Sequence, residues 1–358
     1  MMNRDEFLKF LNSMDNKPKE VYKIFKSYLL RDSYINCNPT IWNGIDSKNS
    51  LSFDFNGSSI INGLKRTFKI TNNDFDYLFD QACSGSGKEE NRITVLRSSS
   101  LCALLFFHNV SKKPINIPID DNKTVRFNEV FFEVQNTVIS YRNPSNIDIV
   151  LVSKEDKIIL YLESKFAEYY LSNGSIEVST GYLCKEDCKV GHQLYKQISN
   201  DIVFKRIGLK INYDSGKDGV FKIESEKNIA DKKKKKKYVS YCGGIKQMIS
   251  HYIGLANFVD ETLCKDDKYN RNEKLYSYYH DENYKVYLGE ILFDFENSNI
   301  TPFMEDYKEK YHELAKYLNK IQPEKITCLK DVLLYSQKEI KNYIKDNNSL
   351  IFDFYFGK

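Results

Sequence analysis

The sequence has little of what marks several common classes of protein. No stretch approaches the 18 or so apolar residues that a membrane helix requires, so no transmembrane helix and no membrane partner are expected. The N-terminal MMNRDEFLKFLNSMDNK has no apolar signal core and reads instead as an amphipathic helix. Eight cysteines are scattered at 37, 83, 102, 184, 188, 242, 264 and 328, too sparse in 358 residues for a disulfide scaffold. Reduced thiols and a cytoplasmic location are the expectation. Tryptophan occurs once, and the five histidines (108, 192, 251, 280, 312) show no HExxH or paired spacing. No G-x-S-x-G is present, so a serine-hydrolase reading has no anchor.

Two apparent motifs also fail on their residues. CSGSGKEE (83–90) suggests a phosphate-binding loop, but Ala82 stands where that loop needs glycine, and Glu89 where it needs Ser or Thr. Cys184, Cys188 and His192 have helical spacing, but a structural zinc site needs a fourth ligand and none stands nearby.

What is present describes a globular chain. Hydrophobic residues make up 41% and charged residues 28%, enough apolar material for a sizeable core. The length suits one large domain or two modest ones. Aromatic content of 14% is almost entirely Tyr and Phe, which first of all means core packing. The formal charge of +4 is compatible with a nucleic-acid partner without requiring one. Lys232, Lys233, Lys234, Lys235, Lys236 and Lys237 form an unbroken run, which is either a solvated loop or an arm that contacts phosphates.

Along the chain, residues 1–35 carry apolar positions at helical spacing, and RITVLRSSSLCALLFFHNV (92–110) begins strand-like and continues as a buried helix. From residue 125, VRFNEVFFEVQNTVISY, IDIVLV and IILYLESKF are separated by turn-prone segments and read as an antiparallel meander. A helical stretch is expected around GHQLYKQISNDIVF, and residues 209–238, polar and lysine-rich, read as an insertion or loop. GGIKQMISHYIGLANFV (243–259) is an amphipathic helix and VYLGEILFDF (286–295) a strand. The C-terminal region is helical and charged, ending in a strand-like LIFDFYF. Together these describe an α/β or α+β core with helical additions at both ends. The expected division is a mainly helical region 1–95, a core 96–300 and a helical C-terminal region 301–358 packed on it.

Charges inside apolar strands are costly unless something pairs with them. Asp148 lies within NIDIVLV, and Glu163 and Lys165 end IILYLESK. Acid-x-Lys tripeptides recur along the chain, but most others lie in polar surroundings, whereas Glu163-Ser164-Lys165 terminates an apolar run. Side chains two apart on a strand share a face, so Glu163 and Lys165 point the same way. A hairpin closed by the four residues Lys154 to Lys157 places Asp148 opposite Glu163, whereas a five-residue loop places it opposite Leu162. In the first register two carboxylates and an ammonium converge. That arrangement suits Mg²⁺, with the lysine orienting or deprotonating a water and stabilising charge on a phosphate. A purely structural Lys–Glu pair fits the residues equally well.

The stretch PSNIDIVLV…IILYLESKF resembles the core motif of the PD-(D/E)XK nuclease superfamily, in the form Asn146-Ile147-Asp148 and Glu163-Ser164-Lys165. The proline-aspartate pair is absent, and Pro144 precedes Asp148 by four residues. RSSSLCALLFFHNV, FFEVQ, ESKFAEY and GGIKQMISHYIGL resemble further blocks of a bacterial, restriction-endonuclease-like branch, so the resemblance spans roughly residues 95–260.

The resemblance implies a mixed β-sheet flanked by helices and a Mg²⁺-dependent DNA endonuclease of restriction or phage-defence type, with Mn²⁺ able to substitute. Asp148, Glu163 and the main-chain carbonyl of Ser164 would hold the metal, and Lys165 would assist the attacking water. Glu133 is the candidate for an additional upstream acid, and Gln247, with Gln193 as its rival, for a supporting glutamine. Glu168 stands either beside the site or on the surface. The six lysines, Lys232, Lys233, Lys234, Lys235, Lys236 and Lys237, would contact DNA. A homodimer would allow both strands to be cut. The alternative is a catalytically inactive nucleic-acid-binding protein that retains the fold.

Overall fold

The computed structural model describes residues 4–26, 35–36, 51–53, 55, 57–84, 93–136, 138, 144–171, 175–179, 206–213, 220–225, 228–231, 236–239, 241–259, 273–321 and 326–357. Over these residues the chain is a mixed α/β protein. Its central sheet has six strands: β3 (Glu129–Asn136), β4 (Ser145–Ser153), β5 (Ile158–Lys165), β6 (Lys285–Leu292), β7 (Ile326–Cys328) and β8 (Leu333–Leu334). A separate hairpin, β1 (Ile115–Asp120) and β2 (Lys123–Phe127), precedes it. β3, β4 and β5 run as an antiparallel meander. β6 then pairs parallel to β5, and β7 and β8 each pair parallel to β6.

Every residue of β5 is buried, the pattern of a strand covered on both faces. On one face lies α5 (Ser99–Phe107), which packs against β4 and β5 and follows the N-terminal helices α1 (Arg4–Ser13), α2 (Asn16–Tyr22), α3 (Ile60–Phe68) and α4 (Phe75–Cys83). The start of α5 is set by Ser98, whose hydroxyl accepts a hydrogen bond from the Leu101 amide at 3.1 Å. It is apolar nearly all round because it is buried nearly all round. On the other face α6 (Gly243–Val259) packs against β3 and β4. Tyr307 lies so close to Gly244 that no larger residue could occupy that position without a shift.

The C-terminal region contributes more than helices, because β7 and β8 fall within it and extend the core sheet beyond residue 300. A long helix, Thr301–Ile321, packs on β7 and on α6.

Two expectations are corrected. LIFDFYF lies within a helix, Ser349–Phe356, capped by the Asn348 side chain, which accepts from the Ile351 amide at 3.0 Å. Ile351, Phe354 and Tyr355 are its buried residues, a helical spacing hidden in a run that is almost wholly apolar. Residues 209–238 are not a plain loop: Leu209–Tyr213, Val220–Ser225, Asn228–Asp231 and Lys236–Val239 form antiparallel strands, the second of which also pairs with Ser175–Ser179. The backbone pairs in short ladders despite the polar composition. The helix expected around GHQLYKQISNDIVF lies outside the described residues. Among the described residues, no helix is long and apolar enough to cross a membrane.

Candidate active site

The β4–β5 hairpin is closed by Lys154 to Lys157, with Ser153 paired to Ile158 and Ile149 to Leu162. This is the four-residue loop, and its register carries Asp148 across from Glu163. Contact between the strands persists there, because the Ser164 amide donates to Asp148 Oδ2 at 2.7 Å. On the other side of β4, Phe132 pairs with Ile149 and Val134 with Ile147, so Glu133 falls level with Asp148. On the far side of β5, Glu290 pairs with Glu163. One row across four neighbouring strands therefore reads Glu133, Asp148, Glu163, Glu290.

Glu133 occupies its place with φ at 49°, a left-handed conformation that a glutamate in a strand rarely adopts. Its ladder pairing lapses at that point, and the Ser100 hydroxyl at the start of α5 approaches its Oε1 at 3.5 Å. Backbone held in this region costs of order 1–3 kcal/mol and is found preferentially at functional sites.

Glu163 is the best-held group of the row. Its Oε1 accepts from Lys165 Nζ at 2.5 Å and from Gln247 Nε2 at 2.8 Å, while Oε2 lies 2.9 Å from His251 Nε2. Burial alone would raise its pKa, but Lys165 and His251 outweigh it and hold the group at about 2. Asp148 goes the other way. Burial of its carboxyl, followed by the negative Glu163 and Glu133, raises it well above the usual carboxylate range. Burial also opposes the Lys165 ammonium, but Glu163, Tyr241, Glu168 and Asp148 outweigh that effect and keep it firmly charged. Glu290 is raised to about 8 by burial, while its Oε2 accepts from the Tyr307 hydroxyl at 2.6 Å.

The first three carboxylates of the row face a cavity of about 550 Å³ at the end of the hairpin, lined by Glu133, Asp148, Glu163, Lys165, Gln247 and His251. Arg97, Glu168 and Lys246 line it as well. Ser164 points to the opposite face, where its hydroxyl lies 2.9 Å from that of Tyr335. Asp148, Glu163, Lys165, Glu133 and Gln247 thus line one cavity, and Glu168 lines it as well.

The lysine run falls largely outside the described residues. Lys232, Lys233, Lys234 and Lys235 lie outside the described residues, as does Gln193. Lys236 and Lys237 are not in a loop but in the strand Lys236–Val239, opposite Asp231 and Ala230. That strand forms because Tyr238 and Val239 continue the run and pair with Ile229 and Asn228.

Sequence reading misses His251, Ser145 and Glu290. His251 carries a usable signal, because it stands one helical turn after Gln247 on the same face. Glu290 carries a weaker one, a lone acid in the apolar run VYLGEIL.

Two facing carboxylates suit Mg²⁺, which is commonly bound through one or two carboxylates with water and substrate phosphate completing its shell. Among the described residues, no three His, Cys, Asp or Glu side chains form a ready-made ligand set. In comparisons with known proteins, no family model, no curated relative and no solved structure matches the chain.

Proposed function

We propose that the chain is a Mg²⁺-dependent DNA endonuclease of restriction or phage-defence type, built on a restriction-endonuclease-like sheet. The observation that carries this reading is the register of the β4–β5 hairpin. It sets Asp148 across from Glu163 at the mouth of one cavity, with Lys165 hydrogen-bonded to Glu163.

Asp148, Glu163 and the main-chain carbonyl of Ser164 would hold the divalent cation, Mn²⁺ being able to replace Mg²⁺. A bound cation supplies Lewis acidity toward a phosphoryl oxygen and a neighbouring water. The side chains do the rest. Glu163, held ionised, is ready as an acceptor of positive charge. Burial, then Glu163 and Glu133, raise Asp148, and an arriving cation would favour its ionised form. Lys165 stays an ammonium, so it donates to water or to a phosphate oxygen and does not serve as the base. Arg97 and Lys246 bring two further basic side chains to the cavity wall, suited to flanking phosphates. In this reading the run from Lys232 to Lys237 contacts the DNA backbone, and a homodimer presents one site to each strand.

A second reading is a nucleic-acid-binding protein of the same fold without activity. It is favoured by Glu163, whose two oxygens already face three nitrogen partners.

The experiment is cleavage of unmethylated plasmid and phage DNA with Mg²⁺ or Mn²⁺ by wild type, Asp148→Ala and Lys165→Ala. The nuclease reading expects metal-dependent cutting by wild type that is lost in both variants. DNA binding by all three without cutting would turn the choice to the second reading.

A further inference from the structure

His251 is 2% exposed and lies between two polar groups from different strands. Its Nε2 stands 2.9 Å from Glu163 Oε2 at the end of β5, and its Nδ1 stands 2.6 Å from Ser145 Oγ at the start of β4. An ionised carboxylate can only accept, so the hydrogen of this contact sits on Nε2. In the neutral ring Nδ1 then accepts, and the Ser145 hydroxyl donates to it. The order Ser145, His251, Glu163 thus fixes one tautomer of the imidazole, and the imidazole fixes one oxygen of the carboxylate. The other oxygen is fixed by Lys165 and Gln247.

The arrangement leaves Glu163 little freedom to rotate. Each carboxylate oxygen has two lone pairs. Oε1 has both directed at Lys165 and Gln247, while Oε2 spends one on His251 and keeps one. Asp148 lies across the strand, about 5 Å away at the Cβ level by the spacing of opposed residues. Gln247 and His251 are one turn apart on α6, so a single helix face supplies two of the three donors.

We propose that Ser145 and His251 are positioning residues: they orient the Glu163 carboxylate so that its remaining Oε2 lone pair is presented, together with Asp148, to a divalent cation. This rests on the metal-dependent nuclease reading. Neither residue touches the scissile phosphate in this scheme, and both act through Glu163. Partners that orient a metal-binding carboxylate typically contribute about 10- to 100-fold in metal affinity.

The test is Mn²⁺ binding to DNA-free protein, followed by electron paramagnetic resonance, for wild type, His251→Phe, His251→Gln and Ser145→Ala. Thermal melting and the ¹⁵N spectrum of the His251 ring are recorded in parallel. Phe keeps the bulk but removes the N–H, and Gln keeps a donor. The proposal expects His251→Phe to weaken Mn²⁺ by at least about 10-fold, His251→Gln to recover most of that loss, and Ser145→Ala to weaken it less than Phe does. The wild-type ring is expected with a hydrogen on Nε2, and Ser145→Ala should keep it there because Glu163 still accepts from it.

Wild-type affinity in His251→Phe, or equal losses in the Phe and Gln variants, overturns the proposal while leaving the nuclease reading in place. If His251→Phe fails to fold, Ser145→Ala decides: unchanged Mn²⁺ affinity overturns the proposal. A wild-type protein that binds no Mn²⁺ overturns this proposal together with the metal-dependent nuclease reading.

Discussion

At the closed end of the β4–β5 hairpin, Lys154, Glu155, Asp156 and Lys157 all stand exposed, whereas at its open end Glu163 and Lys165 are each 3% exposed. The two ends share the same strands and the same residue types. At the turn, charge is left to water: Lys154 reaches Glu129 at 3.2 Å, but half of its side chain remains exposed. At the open end water is largely excluded, and each charged group depends on its neighbours. The comparison teaches that residue type does not mark the site. Being charged where the strand is covered on both faces does.

Breaking the open end should have the largest effect. Lys165→Met keeps the stem but removes the ammonium, leaving Glu163 ionised and short of one partner. Urea unfolding should show a loss of about 3–5 kcal/mol, the usual cost of removing one member of a buried ion pair. Plasmid cutting should disappear with it.

Removing a neutral donor should cost less. Gln247→Leu takes one hydrogen bond from Glu163 Oε1 and leaves Lys165 in place, so unfolding should register about 1.5–3 kcal/mol, the range for bonds to charged groups.

Asp148→Asn sharpens the comparison because its sign is reversed. The carboxyl of Asp148 has a folded-state pKa well above the ordinary value. Proton binding therefore favours the folded chain. That contribution is complete below the ordinary carboxylate pKa and is lost as pH rises through the raised one. Asparagine cannot lose the proton, and its side-chain oxygen can still accept from the Ser164 amide. With no metal added, the variant should melt above wild type at pH 8. The difference should close toward acidic pH, and cutting should be absent throughout.

At the closed end, Lys154→Ala removes a solvent-screened pair with Glu129, which keeps Lys274 at 2.5 Å and the Tyr278 hydroxyl at 2.6 Å. Unfolding should change by less than about 1 kcal/mol, and cutting not at all. An effect as large as that of Lys165→Met would remove the distinction between the two ends.

Much of the hairpin is legible in the residues. The apolar runs and the short turn announce two strands, and the loop length narrows the register to two choices. The structure selects the one that sets Asp148 across from Glu163. Glu133 is a candidate without a position, because its level in the row depends on a left-handed residue in mid-strand that no local pattern predicts. Glu290 is hidden for another reason: parallel pairing of β5 with β6 joins segments far apart in the sequence. His251 is hidden by attention to pairs of histidines, when its partners are a glutamate and a serine. LIFDFYF misleads because an almost unbroken apolar run shows neither period, and only Asn348 ahead of it hints at a helix. Lys236 and Lys237 mislead in the opposite sense, since a run of one charge suggests a loop while the pairing of Tyr238 and Val239 draws its end into a strand.

The row of four carboxylates also joins contacts of very different sequence separation, which sets an expected order of folding. Glu133, Asp148 and Glu163 are brought level by two antiparallel pairings between neighbours in sequence, contacts that close short loops and form early in folding. Glu290 arrives only when β6 docks beside β5, after the chain has closed the whole segment 166–284, a slower search. In that order three acids would stand side by side before β6 docks, with Lys165 the cation nearest in sequence to offset them. A chain lacking Lys165 should therefore refold more slowly as well as unfold more easily.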